Sequence, residues 1–374
     1  MVSKPLNQYP NQPSHSNTTT SAPTFGFRAI KPLLREHQDF LECLVDKLSS
    51  ADHALCGNAL QLINALLRDS IVNGSEEDWP RFLRRFQELG IVNGVEVLMR
   101  GDSIGDIAGP VMQFQSLYRL LLRRWRGVVV DMERVEHRKA LTRCYTASFP
   151  PGFRRRASSK VEKRLLLKGG LDEVQSSSDR SDMWERLGFS SEQPADDFRD
   201  AGFLGLMDIM AYIRRDTDGY QKMLLEQGVQ PADRRCPFAQ ASLRVTMMLY
   251  QHYAVDHQSE HTSSSGLAIH SINVSAHLGS TIQPLLLRWD RVHAVALSAF
   301  LRLWTAAGAT VAEFDKIDDL VRILVSRVLG EAGRKVGVED VEERMKQASL
   351  AEIRKWQLED LDGAFERGWG DDLR

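Results

Sequence analysis

Apolar side chains recur every three or four residues along most of the chain, which is the period of an amphipathic α-helix. One such stripe begins at Leu33, and a second one runs from Leu55 to Ile71. Asn73 and Gly74 follow the second stripe, and both residue types tolerate the left-handed conformation that ends many helices. Links as short as this one predict neighbouring helices that pack antiparallel to each other.

Further helices are predicted in the first third of the chain. Ser75, with Asp78 three residues later, fits a capping box that opens a helix, and Pro110 suits the first turn of another. The run Val128–Val130 has strand composition, but period-two alternation is brief, so a buried helical face is the preferred interpretation. Helical hairpins in succession predict an armadillo-like or other α-solenoid layer, although no fixed-period repeat is visible.

The pattern changes between residues 148 and 182, which are rich in Pro, Gly, Ser and Arg and are interpreted as an interdomain linker. An Arg-Arg-Arg-Ala-Ser sequence ending at Ser158 fits a kinase site or a contact with anionic lipid or phosphate. A solvated basic loop is the simpler interpretation.

Helical periodicity resumes at Trp184 and continues to about Leu329. The polar stretch Asp256–Gln283 interrupts it and is predicted to be a surface insertion that folding does not require. Four histidines in this stretch raise the question of a metal site, which their spacing does not favour: His257, His261, His270 and His277.

These patterns predict an all-α fold in five segments. In chain order they are a disordered tail, an armadillo-like helical region, a linker, a second helical domain and C-terminal amphipathic helices, at residues 1–28, 29–147, 148–182, 183–330 and 331–374. Trp356 is predicted to dock the C-terminal helices onto the second domain.

Composition narrows the function classes. Apolar residues make up 43% of the chain and charged residues 26%, as in ordinary globular proteins. The net charge of −2 gives no field that would favour nucleic acid. The four cysteines lack disulfide spacing, the N-terminus lacks a signal-peptide pattern, and no apolar run approaches about 18 residues. We therefore expect a cytoplasmic protein with at most peripheral membrane association.

Common catalytic motifs are missing from the sequence. It holds no GxSxG, HExxH, GxxxxGK[ST] or helix-opening GxGxxG pattern. Asp216, Asp218 and Gly219 resemble part of a calcium loop, but the preceding aspartate ligand is absent. The sequence thus predicts no catalytic residue of its own, no metal and no cofactor.

The segment that begins at Trp184 is the most informative. In physical terms it is a helix end and a turn, in which Gly188 ends the helix and Pro194 fixes the returning chain. Asp197 is expected to accept backbone N–H groups at the start of the next helix, while Trp184 and Phe189 bury the corner.

This segment resembles the signature of the ELMO (engulfment and cell motility) domain. Trp-x-x-x-Gly-Phe is followed by Pro, Asp-Phe-Arg and Gly-x-Leu-x-Leu, and a Cys-Pro-Phe triplet opens a later helix. The matching residues are Trp184, Gly188, Phe189, Pro194, Asp197, Phe198, Arg199, Gly202, Leu204, Leu206, Cys236, Pro237 and Phe238. The resemblance implies an ELMO domain at 183–330, preceded by the armadillo-like region of the engulfment proteins. It does not extend to the C-terminal pleckstrin-homology module of larger members.

The resemblance implies a non-catalytic scaffold that partners a DOCK-type exchange factor and promotes Rac activation. Actin remodelling, cell motility, phagocytosis of apoptotic cells and recruitment to the plasma membrane would follow. In shorter ELMO-domain proteins, the arginine that matches Arg199 serves GTPase activation on Arf-like proteins, so an arginine finger is the alternative. Rho/Rac-family or Arf-family small GTPases are thus the implied partners.

The two roles require different surroundings for Arg199. A finger has to reach solvent, whereas a structural arginine would be held by a carboxylate such as that of Asp196 or Asp200. The structural or partner-binding role is the preferred hypothesis.

Overall fold

The structure is a computed structural model, and it describes residues 36–37, 39–74, 78–102, 104–149, 183–191, 193–256 and 282–371. Every regular element in these ranges is a helix, which confirms the predicted all-α fold. The predicted tail at 1–28, most of the predicted linker, Ser75 and the four histidines of the polar stretch lie outside the described residues.

Six α-helices are described before the predicted linker. They are α1 (Asp39–Lys47), α2 (His53–Asn73), α3 (Asp78–Glu88), α4 (Ile91–Arg100), α5 (Ile104–Gly127) and α6 (Val135–Ala147). Asp52 starts α2, because its carboxylate accepts the N–H groups of Ala54 and Leu55 at 2.9 and 3.2 Å. The second predicted stripe forms the buried face of α2 from Leu60 to Ile71, but its first residue, Leu55, is 39% exposed. Leu33 lies outside the described residues.

Two sequence predictions in this half are wrong. The α5 helix begins at Ile104, six residues before Pro110, because Ile104 and Ile107 extend its buried stripe upstream. Pro110 lies inside the helix, where its missing N–H cannot bond to the preceding turn. The run Val128–Val130 is not helical, because α5 ends at Gly127; Val130 is buried while Val129 is 77% exposed.

Seven α-helices are described from Gly202 onward, after the predicted linker. They are α7 (Gly202–Arg215), α8 (Thr217–Gly228), α9 (Phe238–His252), α10 (Trp289–Ala307), α11 (Phe314–Gly330), α12 (Val338–Gln347) and α13 (Leu350–Asp371). Residues 183–187 are also helical, and short 3₁₀ turns include Pro194–Phe198 and Pro284–Arg288. The α7, α9 and α10 helices pack against one another and form the centre of this half.

A single apolar core extends through both halves, with α5 between them. This helix packs against α2 and also against α7, and α6 packs on α7 as well. Hydrogen bonds also join α6 to α8: the Tyr220 hydroxyl donates to the Cys144 carbonyl at 3.3 Å, and the Gln221 amide donates to the Ala147 carbonyl at 2.8 Å. The division at residues 148–182 remains a prediction, but the helices on either side of it share one core.

The C-terminal helix α13 packs against α11, as the sequence predicts for Trp356. The Trp356 side chain is partly buried against the core, and the Arg327 guanidinium lies 5.6 Å from its ring centroid. Arg327 also pairs with Glu359 at 3.2 Å. No helix in the described part of the chain is both long and apolar enough to cross a membrane.

Candidate partner-binding site around Arg199

The helix through residues 183–187 ends in a Schellman motif centred on Gly188. The Gly188 N–H donates to the Glu185 carbonyl at 2.9 Å, and the Phe189 N–H donates to the Trp184 carbonyl at 3.1 Å. Gly188 has a φ of +81°, so its predicted role as the helix end is confirmed. The Trp184 and Phe189 rings meet edge to face with centroids 5.8 Å apart, which is the apolar contact that accompanies this motif.

Gly188 is also the point where two motif segments touch. A Cβ atom at this position would lie 2.4 Å from the Phe238 nitrogen and 2.6 Å from the Pro237 Cα atom. The Phe238 ring continues the contact inward, since it lies 5.2 Å from the Tyr220 ring. The structure therefore brings the Trp184 segment and the Cys-Pro-Phe segment together, and we call these residues and their backbone contact the motif corner.

Asp197 does not have the role that the sequence predicts. Its carboxylate accepts the backbone N–H of Ser190 at 2.8 Å and also the Ser190 hydroxyl. The α7 helix has Ala201 at its N-cap and no side-chain cap. The reason is that Asp197 lies within the 3₁₀ turn Pro194–Phe198, before the N-cap of α7, and its carboxylate bonds back to Ser190.

The remaining motif residues attach this turn to the rest of the fold. Pro194 starts the 3₁₀ turn, and the Phe198 ring packs 5.7 Å from the Phe189 ring. Gly202 has a φ of +55°, and a Cβ atom there would lie 1.8 Å from the Arg126 carbonyl oxygen. Only glycine fits so close to the end of α5. Two further motif residues on α7, Leu204 and Leu206, are buried in the core.

Arg199 differs from the other motif residues because its side chain is 81% exposed. The only carboxylate that pairs with it in the described part of the chain is Asp196, at 4.0 Å, and that side chain is itself 63% exposed. Exposed pairs of this kind contribute about 0–1 kcal/mol. Phe198 and Ala201, both 1% exposed, fix the backbone on either side. A packed turn therefore presents a loosely paired guanidinium to solvent.

Charges of both signs lie next to this turn. The Arg126 guanidinium donates to the Asp200 carbonyl at 2.8 Å and pairs with Asp256 at 3.0 Å. It also lies 4.6 Å from the centroid of the Tyr250 ring, whose hydroxyl donates to Asp256 at 2.7 Å. The surface beside Arg199 is thus polar and charged, which suits the rim of a protein interface.

Polar side chains of α5 hold both described ends of the interrupted stretch. The Arg119 guanidinium donates to the Tyr253 carbonyl at 3.0 Å and to the Gln283 side chain at 2.6 Å. The Gln115 side chain accepts the Gln283 N–H at 2.8 Å, and Arg123 donates to the Val255 carbonyl. We call these contacts, with those of Arg126, the α5 seam.

The interpretation of Asp256–Gln283 as a surface insertion is therefore wrong at its two ends, whereas its dispensability for folding stays a prediction. Asp256 and Gln283 belong to the α5 seam, and Ile282 is 2% exposed. No local pattern predicts these contacts, because a polar residue at the edge of a loop looks the same in the sequence whether or not its side chain is hydrogen-bonded. Residues 257–281 themselves lie outside the described residues.

Sequence reasoning also missed a buried polar cluster around Asp208. Its carboxylate accepts the Trp289 indole N–H at 3.0 Å and the Thr246 hydroxyl at 2.8 Å. Burial raises the pKa of Asp208, and the nearby His293 and these hydrogen bonds act against that rise. His293 is fully buried, with Nε2 3.1 Å from the Ser242 carbonyl. The signal was present, since Asp208 is the one charged residue in the apolar run from Gly202 to Ile213.

This cluster joins helices and offers no reaction site. Ser242, His293 and Asp208 include the residue types of a hydrolase triad, but they are at most 3% exposed, so no substrate reaches them.

Burial also raises the pKa of the Cys236 thiol, which keeps it protonated at neutral pH. Asp216 caps α8 by accepting the Gly219 N–H at 2.8 Å, which is a structural role for the calcium-like sequence. Within the described ranges no group of three or more His, Cys, Asp or Glu side chains could hold a metal ion.

Comparison with known proteins gives one family. The family model described as the ELMO/CED-12 family matches residues 120–318, from within α5 to within α11. Engulfment and cell motility protein 3 of Bos taurus is 24% identical over 324 residues, which cover 84% of this chain and 44% of that protein. The human protein of the same name is 23% identical over 300 residues, covering 77% of this chain and 37% of that protein.

A relative from Dictyostelium discoideum, ELMO domain-containing protein A, is 21% identical over 252 residues. These residues cover 64% of this chain and 23% of that protein. In all three cases the chain spans less than half the length of the relative that it matches.

Proposed function

The chain belongs to the ELMO/CED-12 family, and on that basis we propose that it is a non-catalytic scaffold in small-GTPase signalling. In this proposal it partners a DOCK-type exchange factor, promotes Rac activation and so acts in actin remodelling, cell motility and phagocytosis. It works in the cytoplasm and is recruited to the plasma membrane. Residues 29–147 supply an armadillo-like layer, and residues 183–330 supply the ELMO domain.

One observation carries the scaffold proposal. The family match extends over the part of the chain in which a continuous core supports the motif corner, and the names of the two mammalian relatives refer to engulfment and cell motility. Ser242, His293 and Asp208 are buried, whereas the charged surface beside Arg199 is open to a partner. This arrangement suits binding better than chemistry.

The test is a nucleotide-exchange assay with purified components. Rac loaded with a fluorescent GDP analogue is mixed with a DOCK-type exchange factor, with and without the full chain. We expect the chain to bind the exchange factor and to raise the rate of GDP release, while Rac with the chain alone releases GDP at its intrinsic rate. If the chain neither binds the exchange factor nor changes the rate, the scaffold proposal is wrong.

A second candidate function rests on the exposure of Arg199. An arginine finger has to enter the nucleotide site of another protein and stabilise the charge of the transferring phosphoryl group, an effect of about 10³ to 10⁵ in rate. Arg199 is 81% exposed and only loosely paired, so it meets the requirement that a structural arginine would fail. In this alternative the chain is a GTPase activator for Arf- or Arl-family proteins.

Single-turnover GTP hydrolysis separates the two candidates. Wild type, Arg199→Lys and Arg199→Ala are added at equal concentration to candidate Arf-like GTPases. Arg354→Lys, an exposed arginine on α13, is the matched control. Stimulation by wild type and by the control that disappears in both Arg199 variants would establish the activator. Absence of stimulation by wild type, together with accelerated exchange on Rac, would establish the scaffold.

A further inference from the structure

A polar cleft lies at the far end of α7 from Arg199. It is a cleft of about 270 Å³ between the last turn of α7, the middle of α10 and the second half of α12. The α7 helix has 14 residues, which span about 20 Å, so the cleft is separate from the motif corner. No residue of the family motif lines it.

Arg302 is the partly buried cation of the cleft. Its side chain is partly buried, and its guanidinium donates to the Met345 carbonyl at 2.7 Å. Burial lowers its pKa, and no carboxylate among the described residues forms an ion pair with it. A partly desolvated guanidinium whose protein partner is a neutral carbonyl leaves positive potential and free donors for an anion.

The surrounding charges add to this potential. Arg215 lines the cleft, is exposed and has no ion pair within the described ranges. Lys346 also lines the cleft, although it pairs with Glu342 at 2.7 Å. The other lining carboxylate, Asp216, is engaged by the Gly219 N–H as the α8 cap. Three lining cations therefore face two carboxylates that already have partners.

The floor of the cleft has a different chemistry. Ala294, Val295, Ala299 and Met345 supply apolar surface, and the hydroxyls of Tyr212 and Ser298 lie beside them. A ligand that fits this lining has a short apolar stem and an anionic end. The volume is below the roughly 300–1,000 Å³ of small-molecule pockets, so it suits one side chain better than a whole cofactor.

We propose that this cleft binds a glutamate or aspartate side chain from an acidic peptide segment of a partner protein. The carboxylate bonds to the Arg302 guanidinium, Arg215 and Lys346 attract the segment, and the methylene stem lies on the apolar floor. This surface lies apart from the Arg199 turn and adds a second contact to a partner complex. It does not depend on which of the two candidate functions is correct.

Methyl NMR of the full chain labelled with ¹³C at the methionine methyl groups tests the proposal. Met345 lines the cleft and reports on its contents, and its resonance is assigned through Met345→Leu. The probe is the peptide acetyl-Ala-Leu-Glu-Glu-Leu-Ala-amide, with the Gln-Gln peptide of the same length as the neutral counterpart. We expect a saturable shift of the Met345 methyl with the acidic peptide and no saturation with the neutral one.

Two variants locate the charge that is responsible. Arg215→Gln removes an exposed cation that forms no ion pair with the described residues, and Arg302→Gln removes the partly buried cation. We expect affinity to fall severalfold for Arg215→Gln and at least tenfold for Arg302→Gln. Arg302→Lys keeps the charge and recovers part of the loss, and a melting curve for each variant confirms folding. Arg244→Gln, on α9 and outside the cleft lining, is the control and should bind as wild type does.

Three results would overturn the proposal. The first is equal binding of the acidic and neutral peptides, and the second is equal affinity of wild type and folded Arg215→Gln and Arg302→Lys. The third is a saturable Met345 shift with inorganic phosphate but not with the acidic peptide, which would assign the cleft to a phosphate group.

Discussion

The motif corner and the α5 seam both join parts of the chain that are distant in sequence, but they do so by different means. At the corner, aromatic rings interlock and the Gly188 backbone touches the backbone of Pro237 and Phe238. Along the seam, long polar side chains of α5 bond to carbonyls and to Gln283 and Asp256. The corner depends on shape, and the seam depends on hydrogen bonds near the surface.

The corner should therefore tolerate substitution less well than the seam. Close-packed apolar surfaces lose both burial and packing when a side chain is shortened, because the cavity does not refill. Partly exposed hydrogen bonds are replaced in part by water when they are broken.

The largest effect is expected for Trp184→Ala at the corner. Trp184 is 2% exposed, and truncation of a buried tryptophan costs about 3–5 kcal/mol. Chemical denaturation measures the loss. Trp356→Ala on α13 is the matched control, and its loss should be clearly smaller because that ring is only partly buried. An unchanged transition for Trp184→Ala would mean that the corner is a binding surface and not a packed one.

A smaller effect is expected for Arg119→Gln in the seam. The substitution removes two part-buried hydrogen bonds from a charged donor. Each such bond contributes about 1.5–3 kcal/mol at most, and water and the glutamine amide replace part of this because the site is only partly buried. We expect a lower free energy of unfolding, below the loss for Trp184→Ala, measured by the same denaturation. Arg354→Gln on α13 should have no effect. A loss equal to that of Trp184→Ala would erase the distinction between seam and corner.

Asp208 combines the two kinds of contact, because it is a hydrogen-bonded polar group in a packed interior. The pH dependence of stability in wild type and Asp208→Asn shows what its burial costs. Burial raises its pKa above the ordinary value of 3.8 in the folded protein. Stability from this carboxyl is therefore greatest below pH 3.8, and it is lost as the pH rises through the higher folded-state pKa. We expect the stability of wild type relative to Asp208→Asn to fall over that window. Denaturation curves across pH measure it, and a relative stability that rises with pH would show that the hydrogen bonds outweigh burial.

The smallest effect is expected for replacement of residues 257–281 by a Gly/Ser linker that retains Asp256 and Ile282. Loop length changes closure entropy slowly, by about 0.6 kcal/mol per doubling, so melting should be nearly unchanged. Replacement of the whole stretch from Asp256 to Gln283 is the matched comparison, and it should destabilise the fold because it removes seam contacts. Equal stability of the two replacements would mean that these seam contacts contribute nothing.

The sequence predicted the corner better than the seam for a physical reason. Gly188 as a helix end and Trp184 with Phe189 as its apolar contact are recognisable within a few residues, because helix ends follow local rules. The partners of Arg119 and Asp208 lie far along the chain, and no local pattern specifies them. Asp197 shows the same limit at short range, since an intervening 3₁₀ turn redirected its carboxylate to Ser190. The helices themselves were predictable from periodicity, apart from the start of α5 and the loop after it.

The position of α5 has a consequence for cooperativity. Since this one helix packs on α2 and on α7 and also carries the seam, neither half of the described fold completes its core without it. The two halves should therefore melt in a single transition, in spite of the predicted linker between them. The family match begins at residue 120, inside this helix. A fragment that starts there would divide α5, lose Gln115 and Arg119, and so remove part of the seam together with the α2 side of the core.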